Sequence, residues 1–403
     1  METYSKETTF HEPKKTELSG FSVAERMNTE ELSPEIANLI ELEKIIPVTI
    51  GIDTSLRPKI LDECGMTCVF CHNEGTPISK AYNGSLLNPN LSYHGGRVSA
   101  FQDYNMVNFL PGTMHPGKDF ETALAMMANC IGTTELHLTG GEPTLHKNLP
   151  ELINSARNVG YSVKMTSNGE NGSSILNKCA SAGLEKVNFS IFGTTPKELS
   201  EVQNIKYNNV EIATLKLNSL QNSIDEALKC GLKVDANIVM ANSSHAERVL
   251  RIIDKYDDRV SIRILNDIDA GDESYHSIYE LLAHLKAKPT ELYVEAGSSN
   301  SRVKYTLENG RELFFKQIRR VTLPSTCSGC NLNNDVDCKE GHYGIRLYID
   351  NHGNYKAGVC LQRMDLTINL EDFCKSNISD EIIKFRETEY NLLTKHYKNR
   401  IIN

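Results

Sequence analysis

The sequence predicts an α/β fold: a partial TIM-type (β/α)6 barrel with a small C-terminal domain. Two observations predict it. From Lys118 onward, short apolar strand patterns alternate with helical patterns of ten or more residues. That alternation is the mark of right-handed β-α-β units on a parallel sheet. About six units are legible, short of the eight of a closed barrel. A chain of 403 residues is also long enough for one large α/β domain plus a smaller one.

The elements follow in order. Residues 1–30 are rich in Glu, Lys, Ser and Thr with little periodicity, which predicts a loose arm. Ser33 and Pro34 are a helix N-cap and first-turn proline, so a short helix is expected over 33–42. Residues 44–52 and 57–62 read as extended, the second run leading into a cysteine-rich loop. Residues 75–117 are rich in Gly, Asn, Ser and Pro and predict a long loop insertion, a length that is often functional. Helices are then expected over 120–131, 148–158, 173–182, 217–230 and 245–256. Strands are expected over 135–138, 162–166, 186–191, 233–240 and 260–265. Past residue 270 the pattern changes to a helix over 277–286 and extended runs at 291–295, 302–307 and 312–315. Asn309-Gly310 is a hairpin turn between the last two. A final amphipathic helix is expected over 380–396. The domains read as 1–45 (arm and short helix), 46–270 (barrel, with the 75–117 insertion) and 271–403 (C-terminal region).

The chemistry concentrates at Cys64-Gly-Met-Thr-Cys68-Val-Phe-Cys71. Three thiols at spacings of four and three suit one soft metal centre, zinc or iron–sulfur. No fourth cysteine lies nearby, so one metal position stays open, as in sites that do chemistry. About seventy residues on, Glu135-Leu-His-Leu-Thr-Gly-Gly-Glu-Pro143 is a strand running into a Gly-Gly-Glu-Pro turn, where glycines permit close backbone approach to a ligand. Four further cysteines, Cys327, Cys330, Cys338 and Cys360, suggest a second metal site, with four-cysteine zinc as the direct competitor. Cys130, Cys179, Cys230 and Cys374 are scattered and read as packing residues.

Taken together, the C-x3-C-x2-C and Gly-Gly-Glu-Pro motifs resemble the radical S-adenosylmethionine (SAM) superfamily. Within it the chain is similar to the MoaA-like, GTP 3′,8-cyclase-like enzymes with a C-terminal auxiliary cluster of the Twitch or SPASM type. The resemblance implies that Cys64, Cys68 and Cys71 hold a [4Fe–4S] cluster whose open iron binds SAM. It implies SAM contacts at Phe70, Gly140, Gly141, Glu142, Pro143, Ser167, Asn168, Ser190 and Asn237. It decides for iron–sulfur over zinc in the second group, where Cys327, Cys330 and Cys360 match an auxiliary [4Fe–4S] cluster and Cys338 is the candidate for its remaining ligand position. The implied activity is reductive cleavage of SAM to methionine and a 5′-deoxyadenosyl radical, which abstracts hydrogen from an unactivated carbon. An external one-electron donor of flavodoxin or ferredoxin type is implied too.

Departures from that group leave the substrate class open. The C-terminal Gly-Gly tail is absent, Cys338 is extra, and the basic strand keeps Arg346 but has Tyr348 where a second arginine falls. Arg263, Arg346 and Tyr348 are the candidate substrate contacts. A ribosomally made peptide in natural-product biosynthesis is the expected substrate, a nucleotide or nucleoside the alternative, and a non-catalytic metal-binding scaffold the remote one. Composition bounds the rest. Hydrophobic content of 39% and charged content of 24% suit a globular protein. A net charge of −9 argues against a nucleic-acid polymer as partner. No long apolar run or signal peptide is seen, so no membrane partner and a cytoplasmic location are expected.

Overall fold

The computed structural model describes residues 22–27, 32–68, 71, 110–203, 208–334, 338–361 and 363–401. Phe70, most of the N-terminal arm and most of the 75–117 insertion lie outside the described residues.

Six parallel strands form the centre, in the order β2 (Ser55–Pro58), β3 (Glu135–Leu138), β4 (Ser162–Ser167), β5 (Leu184–Ile191), β6 (Lys233–Met240) and β7 (Val260–Asn266). They are interleaved with α3 (Lys118–Ile131), α4 (Leu149–Asn158), α5 (Gly172–Ser181), α6 (Pro196–Glu201), α7 (Val210–Lys229) and α8 (Ala246–Lys255). This is the partial (β/α)6 barrel the alternation predicts. Ahead of it stand α1 (Val23–Arg26), α2 (Pro34–Glu43) and β1 (Val48–Ile52). After it come α9 (Asp272–His284), β8 (Lys288–Ala296), β9 (Asn300–Thr306), β10 (Glu312–Ile318), β11 (Ile345–Ile349), β12 (Tyr355–Gly358), β13 (Ile368–Asn369), α10 (Leu370–Phe373) and α11 (Asn377–His396).

The strands after α9 do not form a sheet of their own. They extend the barrel sheet at both edges, in the order β1-β8-β9-β10-β7-β6-β5-β4-β3-β2-β11-β12-β13. A partial barrel leaves β7 and β2 with unpaired edges, and pairing those edges satisfies their backbone groups. β10 runs parallel to β7, and β11 runs parallel to β2 with Arg346 beside Arg57.

Two helical features depart from the sequence expectation. α6 is not foreseen, although Thr195-Pro196 and Glu198 make a complete capping box. α7 begins at Val210, seven residues early, because Asn209 caps it by accepting from the amides of Glu211 and Ile212. Its first turns expose Val210, Ile212 and Leu215, so no amphipathic period announces them.

Side-chain alternation positions the site. On β4 to β7 one set of residues (Val163, Met165, Val187, Phe189, Ala236, Ile238, Ile262, Ile264) is buried in the hydrophobic core with the helices. The residues between them face the lumen and are polar: Lys164, Thr166, Lys186, Asn188, Ser190, Asp235, Asn237 and Arg263. In-register pairing stacks these residues side by side, Thr166 with Asn188, Ser190 with Asn237 and Asn237 with Arg263.

Candidate functional site

The three motif cysteines share one cavity with the Gly-Gly-Glu-Pro turn. Its volume is about 370 Å³, and its walls include Cys64, Cys68, Cys71, Gly140, Gly141, Glu142, Pro143, Ser167, Asn168 and Ser190. All sit at the C-terminal ends of parallel strands, where α/β folds carry their chemistry. Among the described residues no three Cys, His, Asp or Glu side chains already stand in ligation geometry. What the fold provides is three thiols on one cavity wall, a donor set suited to an iron–sulfur cluster.

The glycines of the turn serve a backbone contact. A Cβ on Gly141 would meet the carbonyl oxygen of Glu63 at 2.0 Å, and one on Gly140 the carbonyl oxygen of Leu61 at 2.6 Å. The Gly141 amide donates to Leu61 O at 3.0 Å and the Glu142 amide to Glu63 O at 2.7 Å. The turn is thus clamped to the residues immediately before Cys64. Any side chain at either glycine pushes the cysteine loop away.

Glu142 is 1% exposed and joins two loops. Its Oε1 accepts from the Thr144 amide (3.0 Å), the Thr144 hydroxyl (2.7 Å) and the Ser167 hydroxyl (2.7 Å). Its Oε2 accepts from the Asn168 amide at 2.6 Å. Burial pushes its carboxyl up, and the Ser167, Thr144 and Asn168 donors pull it back. Asn168 continues the chain of contacts, its Nδ2 donating to Cys64 Sγ at 3.3 Å. Glu170, one loop residue further, accepts from the Gly65 amide at 2.7 Å and pairs with Lys216. Ser190 lines the cavity; Asn237 lies beside it in register, with its Oδ1 unpartnered.

Below this lies a polar lumen. Its lower layer is largely self-neutralised: Lys164 pairs with Glu135, and Asp235 pairs with both Lys186 (2.5 Å) and Arg263 (3.2 Å). Arg263 is therefore held by a carboxylate, although its Nε has no partner. His137 Nε2 contacts Thr166 Oγ1 at 2.8 Å and accepts from Asn188 Nδ2 at 3.1 Å. Burial, then the cations Arg57, Arg263, Lys164 and Lys316, hold its imidazole well below the usual value. His137 is neutral at ordinary pH.

The upper layer is cationic and borders the cavity. Arg57, Arg346, Tyr343 and Glu340 contribute to its wall. Arg57 stacks over the Tyr343 ring at 4.4 Å, and Lys316 lies 4.5 Å from the same ring and bonds its hydroxyl. Burial pushes the Tyr343 phenol up, but Lys316 and Arg57 together bring it below its ordinary value. Arg57 Nε, Asn188 Oδ1, Asn237 Oδ1 and Arg263 Nε are buried without a hydrogen-bond partner. Such orphaned polar atoms are rare in native interiors. Tyr348 is 3% exposed, and its ring covers Gly358 on β12.

Sequence reasoning did not single out Arg57, Tyr343, Lys316 or His137. For Arg57, His137 and Lys316 the signal was a polar residue within a strand; Tyr343 lies ahead of β11 and carried none.

In the second cysteine group, Cys327 neighbours Cys360, Cys338 and Cys330. Burial pushes the Cys327 thiol up to about 11, with Cys360, Cys338 and Cys330 adding to the effect. The Cys330 amide donates to Cys327 O at 3.1 Å, and Arg363 Nη1 donates to Cys330 Sγ at 3.3 Å.

The model of the Radical SAM superfamily matches residues 59–256. A probable GTP 3′,8-cyclase of Sulfolobus acidocaldarius is 26% identical over 333 residues, covering 81% of this chain and 87% of that protein. One from Metallosphaera sedula is 26% identical over 323 residues, covering 78% and 83%. Among solved structures, Streptococcus suis SuiB bound to S-adenosylmethionine has a TM-score of 0.45 at 13% identity, covering 89% of this chain and 71% of that one.

Proposed function

The chain belongs to the radical SAM superfamily, and from that premise we propose that it takes a hydrogen atom from a small anionic substrate of the nucleotide class. An enzyme of this superfamily uses a [4Fe–4S] cluster and SAM. When bound at Cys64, Cys68 and Cys71, the cluster supplies one electron to the sulfonium of SAM, giving methionine and the 5′-deoxyadenosyl radical that abstracts hydrogen. The chain's own residues do the rest. Gly140 and Gly141 keep the turn against the cysteine loop, and Glu142 locks that turn to Ser167 and Asn168.

One observation carries the substrate reading: Arg57 and Arg346 stand side by side in register on β2 and β11 and line the cavity with Tyr343, whose hydroxyl is bonded by the buried Lys316. Guanidinium groups in a buried wall suit a phosphate or carboxylate. The second arginine, missing from β11 at Tyr348, comes from the neighbouring strand. This answers one of the three departures that favoured a peptide. The curated relatives, named as probable GTP 3′,8-cyclases, support a nucleotide class. Cys327, Cys330, Cys338 and Cys360 suit the auxiliary [4Fe–4S] cluster, and the electron comes from an external flavodoxin- or ferredoxin-like donor.

The test is 5′-deoxyadenosine formation by anaerobically reconstituted protein with SAM and dithionite. Wild type forms it, Cys68→Ala forms none, and guanosine or adenosine nucleotides raise the yield. Equal yields from wild type and Cys68→Ala defeat the enzyme reading. Stimulation by short peptides and by no nucleotide defeats the substrate reading and leaves the enzyme reading standing.

A further inference from the structure

We propose that Gln203 is a positioning residue for the cysteine loop and that its amide N–H, aimed at Cys68, raises the reduction potential of the cluster held there. The inference rests on the reading that Cys64, Cys68 and Cys71 hold the cluster. Gln203 follows α6 and is remote in sequence from the loop, yet it is 8% exposed and bonds it at three points. Its Oε1 accepts from the Thr67 amide at 2.8 Å and the Thr67 hydroxyl at 3.2 Å. Its Nε2 donates to Cys68 Sγ at 3.6 Å and to Leu199 O at 3.4 Å. The backbones of Cys68 and Gln203 also form an antiparallel bridge.

The two ends of this amide have separate tasks. The oxygen fixes where the loop sits. The N–H faces a sulfur that carries more negative charge when the cluster is reduced. Hydrogen bonds to cluster sulfurs are among the protein's levers on potential. Cys68 is 6% exposed and packs with Met66, Leu199 and Ala213. In that apolar setting a single donor counts for more than it does in water. The donor therefore stabilises the reduced state. α6 holds Gln203 in place: the α6 capping-box residue Glu198 is itself bound by Arg251 and Arg248.

The experiment is an EPR-monitored redox titration of the reconstituted full-length protein, with iron per chain measured alongside. SAM addition identifies the signal of this cluster. Gln203→Met removes both functions of the amide at similar volume. Gln203→Glu keeps an acceptor for Thr67 and removes the donor to Cys68. The expected result for each is unchanged iron with a reduced fraction about tenfold lower at fixed potential, equal to about 59 mV for one electron. Gln203→Glu shows the larger drop because it adds negative charge. Full iron with the wild-type potential in both variants overturns the proposal. Where Gln203→Met loads less iron, Gln203→Glu is read by the same criterion. A wild type without a SAM-responsive cluster signal would mean that the underlying cluster reading has failed, a separate outcome.

Discussion

Replacing Glu142 by Gln tests whether this carboxylate is the internal hub of the site. Four donors converge on it: three on Oε1 and the Asn168 amide on Oε2 at 2.6 Å. The Thr144 and Asn168 amides, one on each oxygen, can only donate, so they favour the ionised form. Gln keeps a carbonyl for Oε1 and turns an NH2 toward the Asn168 amide. One charge-assisted bond is lost, worth about 1.5–3 kcal/mol, and two buried donors then face each other at about 1–3 kcal/mol more. Against this, the neutral side chain no longer carries the desolvation that pushes the carboxyl up. The net expectation is a loss of about 2 kcal/mol, rising to about 4 kcal/mol in Glu142→Ala, where all four donors are orphaned. Urea unfolding of the apoprotein, followed by circular dichroism, measures both. A Glu142→Gln variant as stable as wild type, with weakened SAM binding, would refute the reasoning. The carboxylate would then be a ligand contact and not a brace.

Two further predictions follow from other parts of the molecule. Burial raises the Glu43 carboxyl to about 7, although Tyr305 and Gln317 bond it. Its folded value exceeds the unfolded 4.5, so the folded state holds the proton more tightly and stability falls as pH rises from about 4.5 through 7. Glu43→Gln should remove that slope and gain up to about 3 kcal/mol over wild type at pH 8, with little gain at pH 5; parallel urea curves at the two pH values check it. Wild-type protein reconstituted without oxygen should carry about eight irons per chain, and the Cys327→Ala/Cys330→Ala double variant about four, by iron and sulfide analysis. Equal counts in the two proteins would remove the second cluster.

The α/β alternation was legible because a strand or a helix declares itself within ten residues, through a period of two or 3.6. The C-x3-C-x2-C loop and the Gly-Gly-Glu-Pro turn were legible for the same reason, since each is a local spacing. Their mutual clamp at Leu61 and Glu63 was not, and neither was the capping box at Thr195, whose helix is only six residues long. The cationic part of the cavity wall was decided elsewhere. Arg57, Lys316 and the Tyr343–Arg346 pair come from three separate stretches of chain, and nothing in the spacing of any one of them announces the others. They meet because β10 and β11 pair with the two open edges of the barrel and bring their lumen-facing residues alongside those of β7 and β2. Strand register is a long-range choice, set by which edges remain to be paired. The order of residues along the chain therefore specified the radical chemistry, and the closing of the sheet specified the charge presented to whatever it acts upon.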